Sequence, residues 1–193
     1  MNNDYFLMRH GKTIYQGQKR KFVYPSLNKQ NSITLTLSSK GKLRKTAKII
    51  KNKKIDLIYS SDICRTRQTA EIVSKEVGVK INFDKRLREI KHGIFSGKTK
   101  KEFYQVLPDP RKRFRVRPKG GENWNDVKRR VASFLKDIER KHKNKNILVV
   151  SHGDALWLLE GMIRDMTNEE LLAEIFIKKK YIQPEEFREI IVK

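Results

Sequence analysis

Apolar and polar positions along this chain follow two alternating rhythms. Short apolar runs stand at Tyr5-Phe6-Leu7-Met8, Ile55-Asp56-Leu57-Ile58-Tyr59 and Ile147-Leu148-Val149-Val150, lengths that suit buried strands. Val79-Lys80-Ile81-Asn82-Phe83 alternates strictly and predicts a further strand. Between these runs the period lengthens. Ala70, Val73 and Val77 are spaced three and four apart, which predicts a helix capped by the Ser60-Ser61-Asp62 turn and ended by Gly78. Trp124, Val127, Val131, Phe134, Leu135 and Ile138 mark one face of a strongly amphipathic helix. Asp154 is expected to cap another helix, carrying Ala155, Leu158, Leu159 and Met162.

Strands alternating with helices predict an α/β fold, a three-layer α/β/α sandwich around a mainly parallel central sheet. One domain over 1–193 is expected from the length. Pro108, Pro110, Pro118, Gly120 and Gly121 predict a loop or lid at about 105–123. From 167 to 193 the pattern reads mostly as helix: Thr167 and Glu170 form a capping box, and Pro184 opens a last short helix after Lys178-Lys179-Lys180.

Composition sharpens this picture in one respect. Charged residues make up 35% of the chain and apolar ones 37%, and the net charge is +23. Such a charge attracts phosphate-bearing or polyanionic partners, although lysines spread along the whole chain equally express a compositional habit. Cys64 is the only cysteine, which excludes an internal disulfide and a thiolate metal cage. His10, His92, His142 and His152 lack metal-ligand spacing, so neither metal nor cofactor is expected. With no signal-peptide pattern and no apolar run of bilayer length, a cytoplasmic protein without a membrane partner is expected. The residues do not speak to oligomeric state.

The candidate chemistry lies at two strand ends. The first apolar run ends in Arg9-His10-Gly11 and the last in Ser151-His152-Gly153. Ligands of open α/β sheets bind at the carboxyl ends of the strands. Histidine beside arginine there suits phosphate chemistry. Arg65, in a helix's first turn, opposes the helix dipole, a placement that makes sense with an anion nearby.

Five ordered elements carry a resemblance: Leu7-Met8-Arg9-His10-Gly11-Lys12-Thr13; Tyr59-Ser60-Ser61-Asp62-Ile63-Cys64-Arg65-Thr66-Arg67-Gln68-Thr69-Ala70; Leu87-Arg88-Glu89-Ile90-Lys91-His92-Gly93, continuing to Gly97-Lys98-Thr99; Gly120-Gly121-Glu122-Asn123-Trp124; and Val149-Val150-Ser151-His152-Gly153. Together they resemble the histidine phosphatase superfamily, also called phosphoglycerate mutase-like, as far as about Met162. The resemblance implies a phosphoglycerate mutase-like sheet and a catalytic group of Arg9, His10, Arg65, Glu89 and His152. His10 would carry the phosphoryl group, Arg9, Arg65 and His152 would bind it, and Glu89 would act as general acid and base. Thr13, Gln16 and Gly153 would contact the substrate, with Gln16 standing where the family usually has Asn. His92 is as readily structural as functional, and His142 is expected at the surface.

The short stretch from Glu89 to Gly97 is closer to the phosphatases than to the cofactor-dependent mutases, which carry longer inserts there. A metal-independent phosphomonoester hydrolase is therefore expected, acting on a small, multiply anionic phosphorylated substrate, with a mutase-type phosphotransferase as the alternative. Arg111-Lys112-Arg113-Phe114-Arg115-Val116-Arg117-Pro118-Lys119 raises a second class of function. In that reading a nucleic-acid or phosphoprotein binder uses charge and the Phe114 ring, though no RNA-binding motif accompanies it.

Overall fold

A computed structural model of the chain describes residues 1–18 and 21–190. In chain order the elements are β1 (Asp4–Arg9), α1 (Ile14–Gln18), α2 (Leu27–Gln30), α3 (Leu37–Lys51), β2 (Leu57–Ser60), α4 (Cys64–Val77), β3 (Ile81–Phe83), α5 (Lys100–Val106), α6 (Trp124–Lys141), β4 (Asn146–Ser151), α7 (Gly153–Ile163), α8 (Asn168–Leu172) and β5 (Phe187–Ile190). The strands form one sheet of order β3-β2-β4-β1-β5. All its pairings are parallel except that of β5 with β1, which is antiparallel.

Successive strand residues point to opposite faces, and both faces here are apolar. Tyr5 and Leu7 of β1 join Ile147 and Val149 of β4 in a core with α6 and α7. Phe6 and Met8 join Ile58, Leu148 and Val150 in a second core, against Leu43, Ala47 and Ile50 of α3 and Ala70 and Val73 of α4. This is why the strand runs are continuous in sequence. Each buried aliphatic or aromatic side chain contributes about 1.5–3 kcal/mol. The three-layer α/β/α sandwich expected from the pattern is the observed architecture.

Several local expectations change. The helix after β2 starts at Cys64 behind Ile63, without a side-chain cap, while its end at Gly78 is as expected, in a left-handed C-cap at φ 77°. α7 begins at Gly153 behind His152, so Asp154 belongs to its first turn and does not cap it. β3 starts at Ile81, two residues later than its alternation suggests. α3, which the strand and helix pattern above does not include, is capped by Thr36 accepting from the Ser39 N–H. The capping box at Thr167 is present. Among the described residues beyond Pro184, however, the chain forms β5 and no helix. Residues 191–193 of the expected helical end lie outside the described residues.

The basic segment at 105–123 is docked against the body of the protein. Its 3-10 turn, Pro110–Phe114, buries Phe114 between Trp124 and Trp157, with ring centroids 5.0 and 6.2 Å away. A ring only 4% exposed cannot stack on a nucleotide base, which corrects that part of the RNA expectation. Among the described residues no helix is long and apolar enough to cross a membrane.

Candidate active site

β1 and β4 are adjacent and in register, with Arg9 beside Ser151, so their ends deliver His10 and His152 side by side. The two imidazole centroids are 5.2 Å apart, and both residues are fully buried. Arg65 enters from the first turn of α4 and is also fully buried. Its Nη1 donates to Gln30 Oε1 at 2.7 Å and its Nη2 to His152 Nδ1 at 3.0 Å. None of these partners is negatively charged. A buried guanidinium whose hydrogen-bond partners are all neutral is costly unless an anion joins it.

The ring nitrogens can be assigned from their neighbours. His10 Nδ1 lies 2.8 Å from the Gly11 carbonyl, which only accepts, so Nδ1 carries the hydrogen. Nε2 is left with a free lone pair, buried and without a hydrogen-bond partner. Burial, then the charges of Arg65 and Arg9, lower the basicity of His10 well below that of an ordinary histidine. For His152 the logic is reversed. Arg65 only donates, so His152 Nδ1 accepts and its Nε2–H donates to Ser61 Oγ at 2.9 Å. Burial, Arg65 and His10 keep this ring neutral as well. Both nitrogens of His152 are thus engaged, one by Arg65 and one by Ser61.

Arg9 is held by the returning C-terminal segment. Its Nη1 donates to the Ile182 carbonyl at 2.8 Å, and its guanidinium lies 5.4 Å from the Tyr181 ring centroid. Its Nε is buried without a partner, as is Nε of Arg65.

Glu89 sits in the connection after β3. The bidentate Arg88–Asp62 pair, both bonds 2.6 Å, and the bond from Ser151 Oγ to the Leu87 carbonyl fix that connection. The Arg88 guanidinium holds the Asp62 carboxyl below the usual carboxylate range. Glu89 itself accepts from the N–H groups of Gly153 and Asp154 at 3.2 and 3.3 Å. The first turn of α7 therefore anchors the carboxylate through the free donors of a helix N-terminus. In the structure the Gly153 N–H is engaged by Glu89.

Thr13 and Gln16 are joined to each other, Gln16 Oε1 accepting from the Thr13 N–H at 3.1 Å. Thr13 Oγ1 also pairs with the hydroxyl of Tyr24 at 2.9 Å. Tyr24 was not foreseen. Its ring covers Arg65, 4.0 Å from the guanidinium carbon, stacks on Tyr15 and meets His10 edge-on. Gln30 and Tyr181 were likewise missed. All three belong to segments brought over the site by distant contacts. His92 packs its ring on Phe103, 5.4 Å between centroids, and His142 accepts or donates a 3.0 Å bond with the Tyr59 hydroxyl.

Over 125 residues, 60% of this chain and 58% of the relative, the chain is 33% identical to phosphoserine phosphatase 1 of Hydrogenobacter thermophilus. It is 30% identical over 167 residues to a probable phosphoglycerate mutase of Escherichia coli, covering 82% of this chain and 73% of that one. Among solved structures, YhfR of Bacillus stearothermophilus superposes with a TM-score of 0.78 at 28% identity, covering 99% of this chain and 92% of that one. A family model also matches residues 5–175, a span that holds every site residue described above except Tyr181 and Ile182. The chain belongs to branch 1 of the histidine phosphatase superfamily.

Proposed function

We propose that the chain is a phosphomonoester hydrolase that works through a phosphohistidine on His10. The observation that carries the reading is the free, buried lone pair of His10 Nε2 beside the buried Arg65 guanidinium, whose hydrogen-bond partners Gln30 and His152 are both neutral. A neutral imidazole is a nucleophile at neutral pH, and Arg9 and Arg65 offer fixed donor forks to the phosphoryl oxygens. Attack by Nε2 on phosphorus expels the leaving oxygen, which takes a proton from Glu89. Water then attacks the phosphohistidine, and the Glu89 carboxylate receives its proton. Positioning and charge supply the catalysis, so no metal is assigned a step.

The substrate class is a small phosphomonoester. Phosphatases of phosphoserine and of glucosyl-3-phosphoglycerate among the similar proteins support that class, as does a structure of the latter type with inorganic phosphate. The excess of basic side chains, 45 against 22 acidic, favours a substrate with more than one negative charge. The direct passage from Glu89 to the turn at Gly93–Phe95 supports hydrolysis over mutase-type transfer.

Hydrolysis of p-nitrophenyl phosphate in EDTA by the wild type and by His10→Ala tests the proposal. Turnover in EDTA that is lost in the variant is the expected result. Undiminished turnover in His10→Ala, or turnover that stops in EDTA, would overturn it. Transfer of phosphate to a second alcohol in preference to water would favour the mutase reading.

A further inference from the structure

The peptide that joins His10 to Gly11 is pinned from both sides. Its carbonyl accepts from the Glu185 N–H at 3.3 Å, and its N–H donates to Thr69 Oγ1 at 3.1 Å. The bond from His10 Nδ1 to the Gly11 carbonyl, 2.8 Å, then ties the imidazole to the backbone that this peptide fixes. Thr69 belongs to α4 and donates to the Arg65 carbonyl at 2.7 Å. Glu185 comes from the other end of the chain, in a turn at 183–186 whose Glu186 carbonyl also accepts from the Arg9 N–H at 3.1 Å.

In that turn the Glu186 N–H donates to the Gln183 carbonyl at 3.1 Å, Pro184 stands second, and Glu185 stands third with φ 73°. This is the pattern of a type II turn, whose third position favours glycine. A glutamate there is strained, and its side chain, only 11% exposed, buries Oε1 without a partner. Glycine would carry neither the strain nor the buried oxygen. The other oxygen, Oε2, lies 3.6 Å from Lys42 Nζ of α3. One turn earlier on α3, Ser39 packs so closely on Gly11 that a Cβ there would overlap its hydroxyl. The carboxylate therefore reaches from the turn to the helix that backs the His10–Gly11 segment.

We propose that Glu185 is a positioning residue for the nucleophile: its N–H orients the His10 carbonyl, and its carboxylate, set against Lys42, locks the turn so that this bond holds through turnover. The inference rests on the hydrolase reading above. Without the carboxylate the turn still forms, since glycine suits φ 73°. The His10 peptide is then free to tilt, and Nε2 leaves the line of attack on phosphorus.

The test compares kcat, KM and the thermal midpoint of wild type and Glu185→Gly on p-nitrophenyl phosphate. The expected result is a kcat lower by about tenfold or more, as a misplaced reacting group gives, with KM and the midpoint close to those of the wild type. That combination separates positioning from turn formation, which glycine would serve as well as glutamate. The double variant Lys42→Glu with Glu185→Lys should recover much of the kcat that Glu185→Lys alone loses. Wild-type kcat in Glu185→Gly, a change in KM alone, a kcat loss matched by a fall in the midpoint, or a double variant no better than Glu185→Lys would overturn the inference. A wild type that turns over without forming an acid-labile phosphohistidine would instead refute the hydrolase reading.

Discussion

Stability below neutral pH should be set by how many protons this site refuses and how many it keeps. His10 and His152 are held neutral in the folded chain by burial and by Arg65. Once the pH falls below the ordinary histidine value of about 6.5, the unfolded chain protonates both rings and the folded chain does not. The stability owed to these rings is complete above that pH and is lost as the pH falls. Each ring costs up to about 1.4 kcal/mol per pH unit for as long as the folded chain keeps it neutral. Asp154 acts in the opposite direction. Burial and the Glu89 charge make the folded chain keep its proton below about 7, whereas an unfolded aspartate takes one up only near about 3.9, so Asp154 returns about 1.4 kcal/mol per unit as the pH falls. His92, also lowered by burial, adds a contribution of the same sign as the two site histidines.

The differences between variants isolate these terms. His10→Asn should flatten the pH dependence of unfolding free energy by about 1.4 kcal/mol per unit between pH 6.5 and 5.0. Asp154→Asn should steepen it by a similar amount. Urea denaturation at closely spaced pH values, followed by circular dichroism, gives both slopes. If His10→Asn and wild type ran parallel over that interval, His10 would not be held neutral, and the assignment of a free lone pair to Nε2 would fail with it.

Two further substitutions probe the walls of the site. Gly153→Ala should lower stability by about 1–3 kcal/mol, as overpacking does, because the new methyl overlaps the Tyr181 hydroxyl; thermal melts would show it, and Gly153→Ala combined with Tyr181→Phe should recover part of the loss. Tyr24→Ala uncovers Arg65 and should tighten inhibition by inorganic phosphate about fivefold, the equivalent of a contact worth about 1 kcal/mol; weaker inhibition in this variant would mean that the ring helps to bind phosphate.

The residues proposed as the catalytic group could be named from the sequence because each is announced by its immediate neighbours. Arg9, His10 and His152 follow apolar runs, and Arg65 and Glu89 lie within motifs next to strand ends. Tyr24, Gln30 and Tyr181 have no such local signal. Tyr24 is placed by the pairing of its flanks with 97–99 and by Val23 in a small apolar cluster with Phe95, Phe103 and Leu107. α3 escaped because lysines and polar residues separate its buried positions, Ser39, Leu43, Ala47 and Ile50, although their spacing of four, four and three is helical. β5 was read as helix because it has only two apolar residues. As an edge strand it takes its conformation from β1, which lies far away in sequence.

β1 sits inside the sheet, and both of its partners come from the far end of the chain, the nearer being Asn146–Ser151. On a ribosome adding about 5–20 residues per second, the Tyr5–Met8 strand therefore waits roughly 7–30 s before β4 is made. Throughout that interval its backbone and its apolar side chains lack their native partners. A nascent chain of this kind exposes that apolar strand to aggregation and to holding chaperones, and the site at the end of β1 can assemble only after β4 has been made.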